Sequence, residues 1–84
     1  MTMYAKIDSL KKVLFDSPIK SLTVPTKAGE ITVLPEHRPL ITSLKPGAAK
    51  VIDINGEEKF FEIKSGFLEV KKAKTDTYLT LLVD

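Results

Sequence analysis

Residues 50–63, KVIDINGEEKFFEI, decide the fold class of this chain. A two-residue type I′ turn needs positive φ at both central positions, and Asn55-Gly56 meets that demand at least cost. The spacing therefore predicts a β-hairpin in which residues 50–54 pair with residues 57–63. Ile52 and Ile54 alternate with Val51, so apolar side chains fall on both faces of the first strand and cover is expected on both sides.

The same period of two recurs outward along the chain. It links Leu22 with Val24, Ile31 with Val33, Ala49 with Val51, Phe61 with Ile63 and Leu68 with Val70, and it ends with Leu79, Leu81 and Val83. Each set marks a strand with one buried face. Turn signals fall at Asp16-Ser17-Pro18, Lys27-Ala28-Gly29, Pro35, Pro39, Pro46-Gly47, Asn55-Gly56 and Ser65-Gly66, mostly about ten residues apart, the spacing of a sandwich or barrel. A second hairpin is expected between Leu68–Val70 and residues 78–83, joined by the polar tip KKAKTDT. Helical spacing fits only residues 7–15, where Leu10, Val13 and Leu14 predict a short helical turn ended by Asp16 and Pro18. No domain boundary or repeat interrupts residues 1–84, which read as one domain.

Composition narrows the function. The chain has 84 residues, 43% hydrophobic and 29% charged, which is a globular balance. A domain of this size buries only about 60–65% of the surface its unfolded chain exposes, so its stability margin is thin. Thirteen basic and eleven acidic side chains are interspersed and sum to +2, which leaves no electrostatic footprint for nucleic acid. No apolar run is long enough to span a bilayer as a helix. With no cysteine and one histidine, the chain offers neither a thiolate site nor a nucleophile paired with a base. Glu36 and His37 are adjacent and point to opposite faces of an extended chain, and four scattered glycines make no phosphate cradle. No catalytic, cofactor or metal site is expected, and function is sought in a shaped surface.

The segment from Gly29 to Gly47, GEITVLPEHRPLITSLKPG, is where that surface is expected. It sets three prolines around the single histidine. Read in order, Leu14-Phe15, Gly29-Glu30-Ile31, Leu34-Pro35, His37, Pro39-Leu40-Ile41-Thr42, Leu44-Lys45-Pro46-Gly47, Gly66-Phe67-Leu68-Glu69-Val70 and Leu82-Val83-Asp84 resemble the epsilon subunit of F-type ATP synthase. The resemblance covers nearly the whole chain. It implies an all-β fold, a flattened antiparallel β-sandwich of about ten short strands. It also implies a non-catalytic rotor subunit of a proton-translocating ATP synthase, peripheral on the cytoplasmic face of a bacterial inner membrane. Such a subunit joins the loops of the membrane c-ring to the gamma subunit and, through it, to the alpha/beta catalytic head. Glu30, Pro35, Glu36, His37, Arg38, Pro39, Leu40 and Thr42 are then the residues expected to meet gamma or the c-ring.

Departures from the family pattern are equally specific. Thr32 and Glu36 stand where the family usually has glycine, and Arg38 where it usually has alanine. Ser65-Gly66 replaces a glycine pair, and the tip from Lys71 to Thr77 is about four residues longer than is common. The two C-terminal helices that in several bacteria restrain ATP hydrolysis do not follow Asp84, so no inhibition or ATP sensing through them is expected.

Each candidate also has a plainer reading. His37 is either a contact to gamma, as the resemblance implies, or a histidine held by local hydrogen bonds. Glu30 is either a charge-assisted contact to a basic ring loop or an exposed turn carboxylate, whose ion pairs contribute only about 0–1 kcal/mol. Lys71, Lys72 and Lys74 read as a solvated tip before they read as a contact to anionic headgroups. One of Phe60 and Phe61 enters the core while the other points outward. Tyr78 and Phe67 are assigned to packing. The alternative function class is a stand-alone small β-barrel that binds nucleic acid or a protein partner, which calls for basic and aromatic residues gathered on one sheet face.

Overall fold

The computed structural model describes residues 2–84. Its eight strands are β1 (Met3–Asp8), β2 (Val13–Thr26), β3 (Gly29–Val33), β4 (Leu40–Leu44), β5 (Gly47–Asp53), β6 (Glu58–Ile63), β7 (Gly66–Ala73) and β8 (Asp76–Val83). No helix is present among the described residues. The all-β expectation holds, with eight strands in place of about ten.

The lower count comes from β2, fourteen residues long, which runs straight through the turn signal at Asp16-Ser17-Pro18. Its first half pairs with β1 as far as Ile19 and its second half pairs with β3 and β5. One strand thus serves both layers. The first layer is β4-β7-β8-β1 with the first half of β2, and the second is β3, the second half of β2, β5 and β6. Over residues 13–18, β2 is flanked by β1 alone, an edge position where a proline's missing N–H is tolerated. Seven of the eight strand pairings are antiparallel and the eighth, β1 with β8, is parallel, because the chain's two ends run side by side.

Alternation places one face of every strand between the layers. Met3, Ala5 and Ile7 of β1, Leu22 and Val24 of β2, Val33, Leu44, Ala49, Val51, Ile63, Leu68, Val70, Leu79, Leu81 and Val83 are all buried. Fully burying one of the Val, Leu, Ile or Met side chains among them contributes about 1.5–3 kcal/mol. At the rim Phe15 meets Phe61 edge-on with centroids 5.7 Å apart, while Lys59 Nζ lies 5.8 Å from the Phe15 ring centre. Phe60 is exposed, so the adjacent phenylalanines divide as alternation requires.

Four local expectations are corrected. Residues 7–15 contain no helical turn: Ile7 and Phe15 are opposed across β1 and β2, and the link is a tight turn in which Ser9 N–H donates to Lys12 O at 2.9 Å. Ser9 Oγ accepts from the N–H groups of Lys11 and Lys12, which explains why a serine stands there. The hairpin at Asn55-Gly56 forms, but not with a type I′ turn. Gly56 N–H donates to Asp53 O and Asp53 N–H to Glu57 O, both at 3.0 Å, and among these loop residues only Gly56 has positive φ, at 84°. This is a three-residue loop with a glycine bulge. Asp53 selects it, because its Oδ1 accepts from Asn55 N at 2.9 Å and Glu57 N at 3.0 Å. Ile54 is consequently carried into the loop and exposed, so cover on both sides does not extend to it. The tip KKAKTDT is mostly ladder, with Lys72 opposite Thr77, Ala73 opposite Asp76 and a turn at Lys74-Thr75 with Lys74 at φ 57°. Tyr78 and Phe67 are exposed, 42% and 56%, where alternation turns them away from the completed core rather than into it.

Candidate interaction surface

The two layers differ on their outer faces. On the first layer the strand registers set Ser43, Phe67, Leu82 and Asp8 in one row across β4, β7, β8 and β1. Ile41, Glu69, Thr80, Lys6 and Asp16 form the next row. Lys71, Tyr78, Tyr4 and Pro18 form the third. Ile41 is 72% exposed, and Val13, opposite Asp8 at the edge, is 52% exposed. Of the ten large hydrophobic residues exposed among the described residues, six lie on this face: Tyr4, Val13, Ile41, Phe67, Tyr78 and Leu82. The outer face of the second layer presents Thr23 and Thr32, whose hydroxyls lie 2.9 Å apart, with Lys50 and Glu58 paired at 3.9 Å, and Phe60. Concentration of exposed apolar side chains on one flat face is the mark of an interaction surface.

Polar groups punctuate the apolar face. Lys6 Nζ lies 3.8 Å from Asp8 Oδ2, while Asp8 Oδ1 is shielded from solvent and has no hydrogen-bond partner among the described residues. Such an oxygen is costly to leave unpaired, and a donor brought by a partner would satisfy it.

The residues selected from the sequence fall at two separate places. Pro35 and Glu36 occupy the corners of a turn in which His37 N–H donates to Leu34 O at 2.9 Å. His37 is half-buried, and its Nδ1 lies 2.8 Å from Arg38 O; since a carbonyl only accepts, Nδ1 carries the proton. Thr77 Oγ1 donates to Pro35 O and ties this loop to the start of β8, at the rim of the apolar face. Glu36, Arg38 and Pro39 are exposed there. Leu40 and Thr42 oppose Val70 and Leu68 on the inner side of β4, which leaves Ile41 between them facing out. Glu30 lies elsewhere: opposite Pro25 at the far end of β3, separated from Val33 by about 10 Å of strand. Tyr4, Val13, Ile41, Phe67, Tyr78 and Leu82 were not selected from the sequence. The signal that finds them is an apolar residue at an alternate position where the inward set is already complete.

Known proteins corroborate this architecture. The family model described as "ATP synthase, Delta/Epsilon chain, beta-sandwich domain" matches residues 2–79. The ATP synthase epsilon chain of Alkalilimnicola ehrlichii is 37% identical over 83 residues, covering 99% of this chain and 56% of that one. The epsilon chain of Psychrobacter arcticus is 43% identical over 70 residues, covering 83% of this chain and 51% of its own. The chain thus spans about half the length of the curated relatives it matches. A chain in the Euglena gracilis mitochondrial ATP synthase (OSCP/F1/c-ring) has the same fold, with a TM-score of 0.86 at 20% identity over 98% of this chain and 50% of that one. One in the Tetrahymena thermophila mitochondrial ATP synthase central stalk and c-ring gives 0.71 at 16% identity, over 98% and 64%. On the family match and the identities together, the chain belongs to the β-sandwich family of ATP synthase delta/epsilon chains.

Proposed function

We propose that this chain acts as a non-catalytic rotor domain of a proton-translocating ATP synthase, joining the c-ring to the gamma subunit so that ring rotation reaches the catalytic head. The carrying observation is the gathering of six exposed apolar side chains on the outer face of the first layer. Five strands about 4.8 Å apart make that face about 19 Å wide, and eight-residue β8 makes it about 27 Å long. Its plan area is about 500 Å², and with the loop at residues 34–39 it approaches the scale of about 800 Å² per partner found in stable interfaces.

In this reading gamma covers the apolar face, and Pro35, Glu36, His37, Arg38, Pro39, Leu40 and Thr42 shape the rim beside it. Leu40 and Thr42 act by holding β4 so that Ile41 faces outward. Glu30, at the other end of β3, meets the polar loops of the c-ring. The domain sits peripherally on the cytoplasmic side of a bacterial membrane as part of that assembly. Membership in the delta/epsilon-chain family supports the reading, as does the fold shared with a chain of the Tetrahymena central stalk and c-ring.

Co-expression with the gamma subunit from the same source, followed by size-exclusion chromatography, tests it. A one-to-one complex is expected at micromolar concentration. Ile41→Asp should dissociate it by placing a charge in the covered face, while Phe60→Asp on the polar face should leave it intact. Failure of the parent chain to co-elute would refute the proposal.

A further inference from the structure

The apolar face is not uniform. Tyr4 and Tyr78 stand directly opposite each other on the parallel strands β1 and β8, their rings 5.3 Å apart between centroids and inclined by only 14°. Beside this stack opens a cleft of about 300 Å³ walled by Lys6, Asp16 and Thr80 and floored by the strands at Ala5 and Leu79. Its lining is mostly apolar, and its two charged residues, Lys6 and Asp16, are both exposed. The tyrosines remain 37% and 42% exposed, so their rings still have apolar surface to bury.

We infer that this cleft is the anchor of the docking face and receives one large apolar side chain from the partner subunit. The inference rests on the reading of that face as the docking surface. Hot spots take the form of a rigid aromatic site that excludes water, surrounded by weaker contacts. Tyrosine suits the role because it offers a large surface for little conformational entropy, and a stacked pair is already ordered before binding. Each ring fixes the other, which a lone exposed Phe67 or Ile41 lacks. Exposed Asp16 and Lys6 supply the polar groups beside this site that set the orientation of the incoming chain. A protein side chain fits better than a lipid surface, since Thr80, Glu69, Lys6 and Asp16 interleave with the apolar residues across the face.

The test measures affinity for the purified gamma subunit by titration calorimetry, using the full chain. Tyr4→Ala and Tyr78→Ala should each weaken binding at least tenfold, whereas Tyr78→Phe should stay within threefold of the parent because the ring is kept. Thr80→Trp, which fills the cleft without removing a tyrosine, should also weaken it at least tenfold. Phe60→Ala, at a 63% exposed position on the outer face of the second layer, should leave affinity unchanged. Far-ultraviolet circular dichroism establishes that each variant is folded. If Phe67→Asp abolishes binding while the alanine and tryptophan variants bind like the parent, the cleft inference is overturned and the docking face stands. If none of these variants disturbs a measurable complex, both fall. Retention on single-stranded DNA that Tyr78→Ala removes would also overturn it, since unpaired bases would then be the occupant.

Discussion

Gly66→Ala should cost this small domain a large part of its stability, and for a reason separable from glycine flexibility in general. Gly66 opens β7 at φ 153°, a conformation that L side chains rarely adopt, and a Cβ there would lie 2.1 Å from the carbonyl oxygen of Leu82. Ordinary Cβ contacts begin near 3.4 Å, so the overlap exceeds 1 Å and the opposing atom is backbone held in the β7–β8 ladder. Backbone strain of this kind costs about 1–3 kcal/mol. Forcing apart a packed contact costs about 1–3 kcal/mol more. The sum, about 2–6 kcal/mol, compares with a total stability of about 4–13 kcal/mol for a chain of this length. Gly56 provides the control, because its φ of 84° is also positive but a Cβ there meets nothing within 4 Å. Gly56→Ala should therefore cost only about 1–2 kcal/mol. Urea unfolding followed by circular dichroism measures both, and the midpoint should fall much further for Gly66→Ala at an unchanged slope. Gly56→Asn should recover most of the control's loss, since asparagine tolerates positive φ, while Gly66→Asn should recover nothing. Equal losses at the two glycines would refute the close-approach argument and leave only backbone freedom.

Three further outcomes follow from the packing and the turns. Asp53→Ala removes the acceptor of two turn N–H groups and the partner of Lys59 Nζ at 3.8 Å, and should lower stability by about 2 kcal/mol in the same urea assay. Leu22→Ala empties a fully buried position in β2 between the layers and should cost about 2–5 kcal/mol, lowering the thermal midpoint by at least about 8 °C. The Asp84 carboxylate, which accepts from Ser65 N at 3.0 Å and Ser65 Oγ at 3.1 Å, is held below its ordinary value of 3.8, chiefly by the Ser65 backbone N–H. A depressed folded value means that its contribution is present above pH 3.8 and is lost as pH falls through the folded value. Asp84→Asn should therefore flatten the stability profile below about pH 4 while changing little between pH 5 and 8, as read by urea midpoints across pH.

The contrast between the two hairpins shows how far local sequence carries. Around Asn55-Gly56 the reversal is legible, but the turn type is set by the Asp53 carboxylate capturing two N–H groups, a contact that exists only once the loop closes. In the β7–β8 hairpin the inward residues Leu68, Val70, Leu79 and Leu81 are legible from alternation. Their neighbours Phe67 and Tyr78 pass for packing because an apolar residue in a strand carries no label saying whether a second layer covers it. Residues 7–15 mislead for a related reason: nine residues satisfy a helical period by chance, whereas Ile7 and Phe15 are held opposite each other by pairing. The surface expected from sequence, Glu30 with residues 35–40 and Thr42, falls within one segment, Gly29 to Gly47. The fold divides it between the two ends of β3.

What the sequence determined by itself is therefore the strand periodicity, the inward set of side chains and the places where the chain reverses, because these depend on a residue and its near neighbours. The family pattern, too, is written in local motifs. Tertiary structure alone decided that β2 spans both layers, that β1 lies parallel to β8, and that Tyr4 meets Tyr78 across 74 residues of chain. Those facts depend on pairing between distant segments, and pairing is fixed by burying the inward faces together. The outward faces have no vote in that process, so where their apolar side chains gather becomes visible only once the sheets have closed.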